Sequence, residues 1–167
     1  LEVDARPLPG EHDLNFHLRT KTTGTAYMLK ISGPAASESN IDLQNQALLH
    51  LAQRAPELPL ARVLPGTDGR YARRIRDAAG QVRWLRLHRW LDGQVWARRP
   101  ARPTALFEKL GQRCGQVTTA LLDFDPPAAH HIHPRNNAEG SWNREELPVH
   151  AAPAQPDAFA ALTPGAP

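Results

Sequence analysis

The N-terminal part of the chain alternates apolar and polar positions with the period of two that is typical of β-strands. This alternation predicts strands at residues 3–8, 14–21 and 26–32, separated by the turn sequences PGEHD and TTGT. Short connections of this kind join antiparallel strands. The segment is therefore predicted to form a three-stranded antiparallel meander.

A helical period replaces the alternation in the sequence IDLQNQALLHLAQRA, residues 41–55. The positions that would share one face of a helix recur in it at intervals of three or four residues. Ser39 or Asn40 is placed to cap the N-terminus. The pattern predicts one helix after the meander, with a face formed by Ile41, Gln44, Leu48 and Leu51.

Two further strand signals follow the helix. Three prolines surround a short predicted strand near residues 62–64, and residues 70–76 and 81–91 are predicted to form a hairpin around the turn sequence DAAG. The alternation in the second arm separates two sets of side chains. One face carries Leu85, Leu87 and Leu91, and the other carries Trp84, Arg86, His88 and Trp90.

The pattern changes again in the C-terminal part. The sequence DGQVWARRPARP is interpreted as a linker, after which Thr104 is predicted to cap a helix that runs to about Phe124. Cys114 falls on the apolar stripe of this helix, which predicts a buried and unreactive thiol. Pro, Ala, His and Asn dominate residues 126–167 without sustained periodicity, so this tail is predicted to be disordered or loosely packed.

Composition and charge narrow the function classes. The 20 Lys and Arg residues slightly exceed the 17 Asp and Glu residues, and the arginines crowd residues 70–102. No nucleic-acid-binding motif accompanies them, so they are interpreted as solvated strand faces and nucleic acid is not expected as a partner. The single cysteine excludes an internal disulfide and fits a reducing compartment. No apolar run is long enough to cross a membrane, and a cytoplasmic protein is expected.

Lys30 stands among the apolar residues of the third predicted strand, AYMLKIS, and has two interpretations. On an edge strand, a lysine extends its ammonium group to water and discourages pairing with another strand. In the other interpretation, Lys30 points into a cleft and holds an anion such as a nucleotide phosphate.

The order of the elements and four sequences, LPGEHDLNFHL, YMLKIS, IDLQNQALLHLA and LRLHRWLDG, resemble one known family over about residues 5–130. This is the phosphotransferase family of aminoglycoside kinases and choline kinases, and especially its hydroxylysine-kinase-like branch. The resemblance implies an α+β, protein-kinase-like N-terminal lobe, a five-stranded antiparallel sheet with one helix. Its implied divisions are the lobe at 1–92, the linker at 93–103, the first helix of the C-terminal lobe at 104–125 and an irregular tail at 126–167.

The resemblance also implies a nucleotide site. Lys30 matches the family lysine that contacts the α and β phosphates, and Met28, on the same face of its strand, would lie against adenine. The family places an acidic partner for the lysine on the helix. Gln44 is the best match and is interpreted as a hydrogen-bonding tether. Asp42 is the nearest acid, but it lies about 200° from Gln44 around a helix.

Two other segments match this nucleotide site. LHRWLDG matches the connection between the lobes, where backbone groups near His88, Arg89 and Trp90 would pair with adenine; the alternative role of Trp90 is packing between strand and helix. PGEHDLNF matches the turn that covers the phosphates, and an ordinary hairpin turn is the alternative. The residues of this turn that would approach the phosphates are Gly10, Glu11, His12 and Asp13.

The family uses ATP or GTP with Mg²⁺ to phosphorylate a hydroxyl of a small amino-bearing metabolite or aminoglycoside-like substrate. The H-G-D-x-x-x-x-N segment that supplies its catalytic Asp and a metal-binding Asn is not found in this sequence. Phosphoryl transfer depends on such groups, so this chain alone is expected to be inactive. Asp123 and Asp125 are interpreted as parts of a helix-end turn. A natural truncation, a frameshifted end and a fragment all stay open.

Two other function classes remain. The chain could instead be a non-catalytic interaction module or pseudokinase remnant, because a missing C-terminal lobe leaves apolar surface uncovered. Bacterial members of the branch can be fused to an aminotransferase domain, which makes such a domain a candidate partner. The third class is metal binding through His130, His131 and His133, for which the Pro-rich tail offers no fixed geometry.

Overall fold

The computed structural model describes residues 2–98 and 103–130. Within these residues the chain forms a single antiparallel sheet and two α-helices, one between the third and fourth strands and one after the last strand. His130 begins a separate unit, of which His130 alone is described. The elements are β1 (Val3–Leu8), β2 (Leu14–Thr20), β3 (Ala26–Ile31), α1 (Glu38–Arg54), β4 (Val63–Leu64), β5 (Arg73–Arg76), β6 (Val82–Arg89) and α2 (Thr104–Ala120).

The described strands pair in the order β1, β2, β3, β6, β4, and β5 also pairs with β6. Leu87 and His88 of β6 face β3 on one edge and β4 on the other. Leu85 likewise pairs with both β3 and β5, so β4 and β5 share one edge of β6. Six strands therefore occupy five positions across the sheet. The α+β, kinase-like sheet and the N-terminal meander are both confirmed.

The pairing register decides which side chains share a face of the sheet, because directly opposed residues on neighbouring strands point the same way. Lys30 of β3 lies opposite Asn15 of β2 and Arg86 of β6. Met28 lies opposite His17 and His88 on the same strands. We call this surface the lysine face. It carries Asn15, His17, Met28, Lys30, Trp84, Arg86 and His88.

Helix α1 packs on the lysine face. The contact includes two buried polar residues, Asn45 of α1 and Arg86 of β6. The apolar core lies around it, between the helix, the segment after the helix and the sheet. The buried apolar residues of the described chain are Ile41, Leu51, Ala55, Leu58, Val63 and Trp84.

The helix caps differ from the sequence predictions. Helix α1 begins at Glu38, and the Oγ of Ser37 accepts a 3.2 Å hydrogen bond from the Asn40 N–H, so Ser37 is the cap rather than Ser39 or Asn40. Several polar residues precede the periodic stretch, and its pattern cannot choose between them. Thr104 is the first residue of α2, not its cap, and it follows Pro103.

Helix α2 lies largely in solvent. None of its described side chains is buried, and Cys114 is exposed, so the predicted buried thiol is wrong. The apolar stripe of α2 is only partly covered. Leu106, Val117 and Leu121 are half-buried, whereas Leu110 and Cys114 are exposed. The turn after α2 contacts α1 through Asp123, whose carboxylate oxygens lie 3.0 Å from His50 and 3.0 Å from Arg54. Neither α1 nor α2 has the length and apolar character needed to cross a bilayer.

Candidate functional site

The turn between β1 and β2 is closed by a residue that the sequence analysis did not single out. The Asn15 side-chain amide donates to the carbonyl oxygens of Pro9 and Asp13, at 3.5 and 3.4 Å. Gly10 lies against this closure. A Cβ atom at Gly10 would overlap the Asp13 carbonyl oxygen and approach the Asn15 amide nitrogen to 2.7 Å. Glycine is therefore required here by close backbone approach.

Lys30 extends from β3 to this turn. Its Nζ lies 3.0 Å from Asp13 Oδ2, and both side chains are about 70% buried, with 30% and 26% of their surface exposed. Asp13 Oδ1 accepts a 2.8 Å hydrogen bond from the Gly33 N–H. Strand β3 lies between β2 and β6, so the edge-strand interpretation of Lys30 is wrong.

The charges around Asp13 favour its ionised form. Burial by itself raises the pKa of this carboxyl group. The hydrogen bonds from Lys30 and Gly33 and the positive charges of Lys30 and Arg86 lower the pKa by more, so the net shift is downward. Asp13 is thus an anion at neutral pH, and Lys30 in the described chain holds a carboxylate.

Arg86 is a second cation on the lysine face, and sequence reasoning did not assign it to the site. It is 3% exposed, and its one described hydrogen bond, at 3.5 Å, is to Asn45 Oδ1. Its Nε has no partner, and no described carboxylate lies within ion-pair distance of it. Burial lowers the pKa of Arg86, partly offset by the charge of Asp13. The sequence feature that could have identified Arg86 is its position two residues from both Trp84 and His88, which places all three side chains on the same face of β6.

The predicted helix tether does not contact Lys30. Gln44 is exposed, and its amide donates a 2.8 Å hydrogen bond to Asn40 Oδ1 on the same helix. Asp42, the other candidate, is also exposed. The neighbouring Asn45 points to the sheet instead, with 4% of its surface exposed. Successive residues of a helix are rotated by about 100° around its axis, so Gln44 faces solvent while Asn45 faces the sheet.

His88 lies buried on the lysine face opposite Met28. It is 3% exposed, and neither ring nitrogen has a hydrogen-bond partner in the structure. Burial, followed by the charges of Arg86 and Lys30, lowers the pKa of His88 to about 4. The ring is therefore neutral at physiological pH and leaves a donor and an acceptor unused within the core.

The segment after His88 is engaged with the rest of the lobe. The N–H of Arg89 donates to Arg62 O at 2.8 Å, and the N–H of Trp90 donates to Ala26 O at 3.3 Å. Both N–H groups would have to break these bonds to pair with a base. The Trp90 ring packs edge-on against His17 of β2, with 4.4 Å between ring centroids.

Glu11 and His12 are exposed in this turn, and their side chains lie 3.4 Å apart. The turn rests against the segment after β3, since a Cβ atom at Gly33 would lie 2.9 Å from the His12 carbonyl oxygen. The structure thus brings the predicted residues Gly10 to Asp13 together with Lys30, and separates Gln44 from them.

Two cavities border this region. One, of about 720 Å³, lies between α1 and the β5 segment and includes Asn45 and Trp84 in its lining. Its charged lining is balanced, with three carboxylates and three arginines, and Lys30 does not contribute to it. The other, of about 290 Å³, is lined in part by Arg89 and Trp90. We place the candidate site at Lys30 rather than in the larger cavity, because the partly buried positive charges converge there.

A metal site is not formed by the described residues. No group of three or more His, Cys, Asp or Glu side chains within residues 2–98 and 103–130 is arranged to hold an ion. Of the three histidines predicted as an alternative metal cluster, His131 and His133 lie outside the described residues. Most of the predicted irregular tail lies outside them as well.

Two solved structures resemble this chain. An amicoumacin kinase in complex with AMP-PNP, Ca²⁺ and Ami is 20% identical with a TM-score of 0.57, and the match covers 74% of this chain and 36% of that one. A microcompartment-associated aminopropanol kinase is 14% identical with a TM-score of 0.61, and the match covers 80% and 40% of the two chains. These likenesses show the fold. The chain spans at most 40% of the length of either kinase.

The family assignment comes from the sequence match. No curated protein matches the chain significantly. The model of the phosphotransferase enzyme family matches residues 4–167. The match extends past residue 130, beyond the part of the chain in which the sequence motifs resemble the family. Placement in the hydroxylysine-kinase-like branch remains a prediction. The match covers nearly the whole chain, which therefore belongs to the phosphotransferase enzyme family.

Proposed function

We propose that this chain is the nucleotide-binding lobe of an ATP-dependent kinase that phosphorylates a hydroxyl group of a small amino-bearing substrate. The observation that carries the proposal is Lys30, which extends under the Gly10–Asp13 turn and has buried Arg86 beside it on the sheet. Partly buried positive charge beneath a tight turn is suited to the phosphates of a nucleotide.

Different residues of the lysine face bind different parts of the nucleotide. Lys30 binds phosphate oxygens, and backbone N–H groups of the turn approach them from above. Met28 provides apolar surface for the base on the same face. Arg86 is too buried to serve as a mobile ligand, and it contributes a fixed positive charge behind Lys30.

Catalysis needs groups beyond this face. Mg²⁺ bound with ATP would supply positive charge against the charge that develops on the phosphates during transfer. The described residues do not fit a resident metal ion, because Asp13, the carboxylate nearest the site, is held by Lys30 and Gly33. The printed sequence also lacks the family's H-G-D-x-x-x-x-N segment. We therefore propose that the lobe binds nucleotide without turning it over on its own.

The substrate class is suggested by the two structural neighbours. One is named an aminopropanol kinase, and the other is an amicoumacin kinase seen with AMP-PNP. Aminopropanol is a small amino alcohol, which matches the amino-bearing metabolite expected from the sequence resemblance. ATP is proposed as the phosphoryl donor, with GTP as the alternative.

A second candidate function is a non-catalytic interaction module. The exposed surface of α2 and the following turn favours it, since Phe107, Leu110 and Leu122 have 52%, 47% and 79% of their surface exposed. Exposed apolar surface of this kind tends to associate with a partner. Sedimentation of the chain as a monomer across a wide concentration range would speak against self-association through this surface.

Thermal unfolding with and without Mg-ATP tests the nucleotide proposal. Lys30→Ala removes the phosphate-binding charge, and Lys21→Ala is the matched control, because Lys21 is half-exposed and pairs with Glu2 at 3.6 Å. ATP at about ten times its Kd should stabilise the parent and Lys21→Ala by about 1.4 kcal/mol. Lys30→Ala should show no such gain. Equal stabilisation of Lys30→Ala, or none of the parent at millimolar ATP, contradicts the proposal.

A further inference from the structure

The lysine face holds two cations and one carboxylate. Lys30 and Arg86 are directly opposed across the β3–β6 pairing, and Asp13 is near enough for both charges to lower its pKa. Arg86 has an unpartnered Nε and no described carboxylate within 4.0 Å. A buried or partly buried charge is costly unless an opposite charge compensates it. The two positive charges of Lys30 and Arg86 face only one described carboxylate, so an additional anion beside them would be favourable.

Asp13 is bound by the kind of donors that bind a phosphate oxygen. One carboxylate oxygen lies 3.0 Å from the Lys30 ammonium group, and the other accepts a 2.8 Å hydrogen bond from the Gly33 N–H. An ammonium group together with a backbone N–H is a common arrangement for anions. The Asp13 carboxylate therefore occupies the anion position beside Lys30 in this structure.

From this geometry we propose that Asp13 is a resident counter-ion that the phosphates of a nucleotide must displace from Lys30. The inference rests on the proposed nucleotide-binding function. A phosphate oxygen and the Asp13 carboxylate compete for the same ammonium group, and two anions brought together in a partly buried site repel each other. Asp13 thereby lowers the affinity for phosphate-bearing ligands and has no effect on ligands that lack phosphate.

The competition makes Asp13 a residue that controls which ligands the lobe holds. Adenosine carries the base and sugar but no phosphate, so its binding leaves the Asp13–Lys30 pair intact. When ATP binds, a phosphate oxygen must replace the Asp13 carboxylate as the partner of Lys30. Removal of the carboxylate charge should therefore tighten the binding of ATP and leave the binding of adenosine unchanged.

Isothermal titration of Mg-ATP and of adenosine into the full chain tests this inference. Asp13→Asn keeps the shape of the side chain and an acceptor for the Gly33 N–H. Asp77→Asn is the matched control, because Asp77 also lies in a turn and pairs with an arginine, Arg83, at 2.8 Å on a different hairpin. Asp13→Asn should bind ATP about three- to tenfold more tightly than the parent. Asp77→Asn should stay within about twofold of the parent for both ligands.

The outcomes separate the inference from the proposed function. Unchanged or weaker ATP binding by Asp13→Asn, while the parent binds ATP, overturns the counter-ion role and leaves the nucleotide-binding function standing. Tighter adenosine binding by Asp13→Asn also overturns it. Absence of ATP binding by the parent overturns both.

Carbon-13 NMR of the Asp13 carboxyl group gives a second measurement that needs no substitution at Asp13. In the parent chain without ligand, its signal should titrate below the ordinary aspartate pKa, because Lys30 and Gly33 bind the carboxylate. Saturation with ATP should shift this signal, because the carboxylate leaves Lys30, whereas saturation with adenosine should not. A signal that is indifferent to ATP overturns the inference even if Asp13→Asn fails to fold.

Discussion

Asn45 on α1 accepts a 3.5 Å hydrogen bond from the guanidinium group of Arg86 on β6, and both side chains are almost fully buried. The neighbouring Gln44 points to solvent and bonds to Asn40 within its own helix. The polar link between the helix and the lysine face is thus an amide that contacts an arginine. In this structure the lysine takes its partner from the turn instead.

Replacement of Asn45 by leucine should destabilise the chain. Leucine has a similar size but leaves the buried Arg86 without its described acceptor, and an unsatisfied charged donor costs about 1–3 kcal/mol. Gln44→Leu, one residue away, should change the free energy of unfolding by no more than about 0.5 kcal/mol, as exposed substitutions usually do. Urea denaturation of both variants at pH 7 measures the difference. Equal losses, or a larger loss in Gln44→Leu, would mean that the helix faces the sheet differently.

Stability should fall in mild acid because of His88. The pKa of His88 is about 4 in the folded chain, against an ordinary value of 6.5. Between these pH values the unfolded state binds a proton that the folded state does not, so the free energy of unfolding decreases as the pH falls from about 6.5 to about 4. The expected loss is about 1–3 kcal/mol, measured by urea denaturation at several pH values.

His88→Leu should remove most of this pH dependence. Its stability at pH 7 should equal or exceed that of the parent, because both ring nitrogens of His88 lack partners in the structure. His12→Gln is the control, since His12 is 75% exposed in its side chain, and its profile should follow that of the parent. The Asp13 carboxyl adds a separate loss at lower pH, as the pH falls through its lowered pKa. A parent profile that is flat between pH 6.5 and 4.5 would show that His88 is not buried as a neutral ring.

Gly10→Ala should disrupt the turn over Lys30. The added Cβ would overlap the Asp13 carbonyl oxygen and crowd the Asn15 amide, so the backbone must shift. A loss of about 1–3 kcal/mol in unfolding free energy is expected. Gly93→Ala has open space around its Cβ and should be nearly neutral. Thermal unfolding compares the two variants, and a neutral Gly10→Ala would show that the turn is not closed as described.

The local pattern of the sequence determined much of this lobe. Alternation within one strand assigns Met28 and Lys30 to the same face whatever the strand packs against, and it does the same for Trp84, Arg86 and His88. The element order followed from such signals as well. All six strands observed fall inside the predicted ranges, and the body of α1 lies within its predicted range as well.

The tertiary structure decided which side chains contact each other between different elements. A helical period fixes the spacing of side chains but not which of two neighbouring positions faces the sheet, so Asn45 rather than Gln44 became known only from packing. The same limit applies to Cys114, which lies on an apolar stripe but is exposed in the folded chain. The ion pair of Asp13 with Lys30 joins a turn to the middle of a strand, and the contact of Asn45 with Arg86 joins residues 41 positions apart. Sequence periodicity reports each element by itself, whereas charge pairing depends on distances between elements that only the folded chain sets.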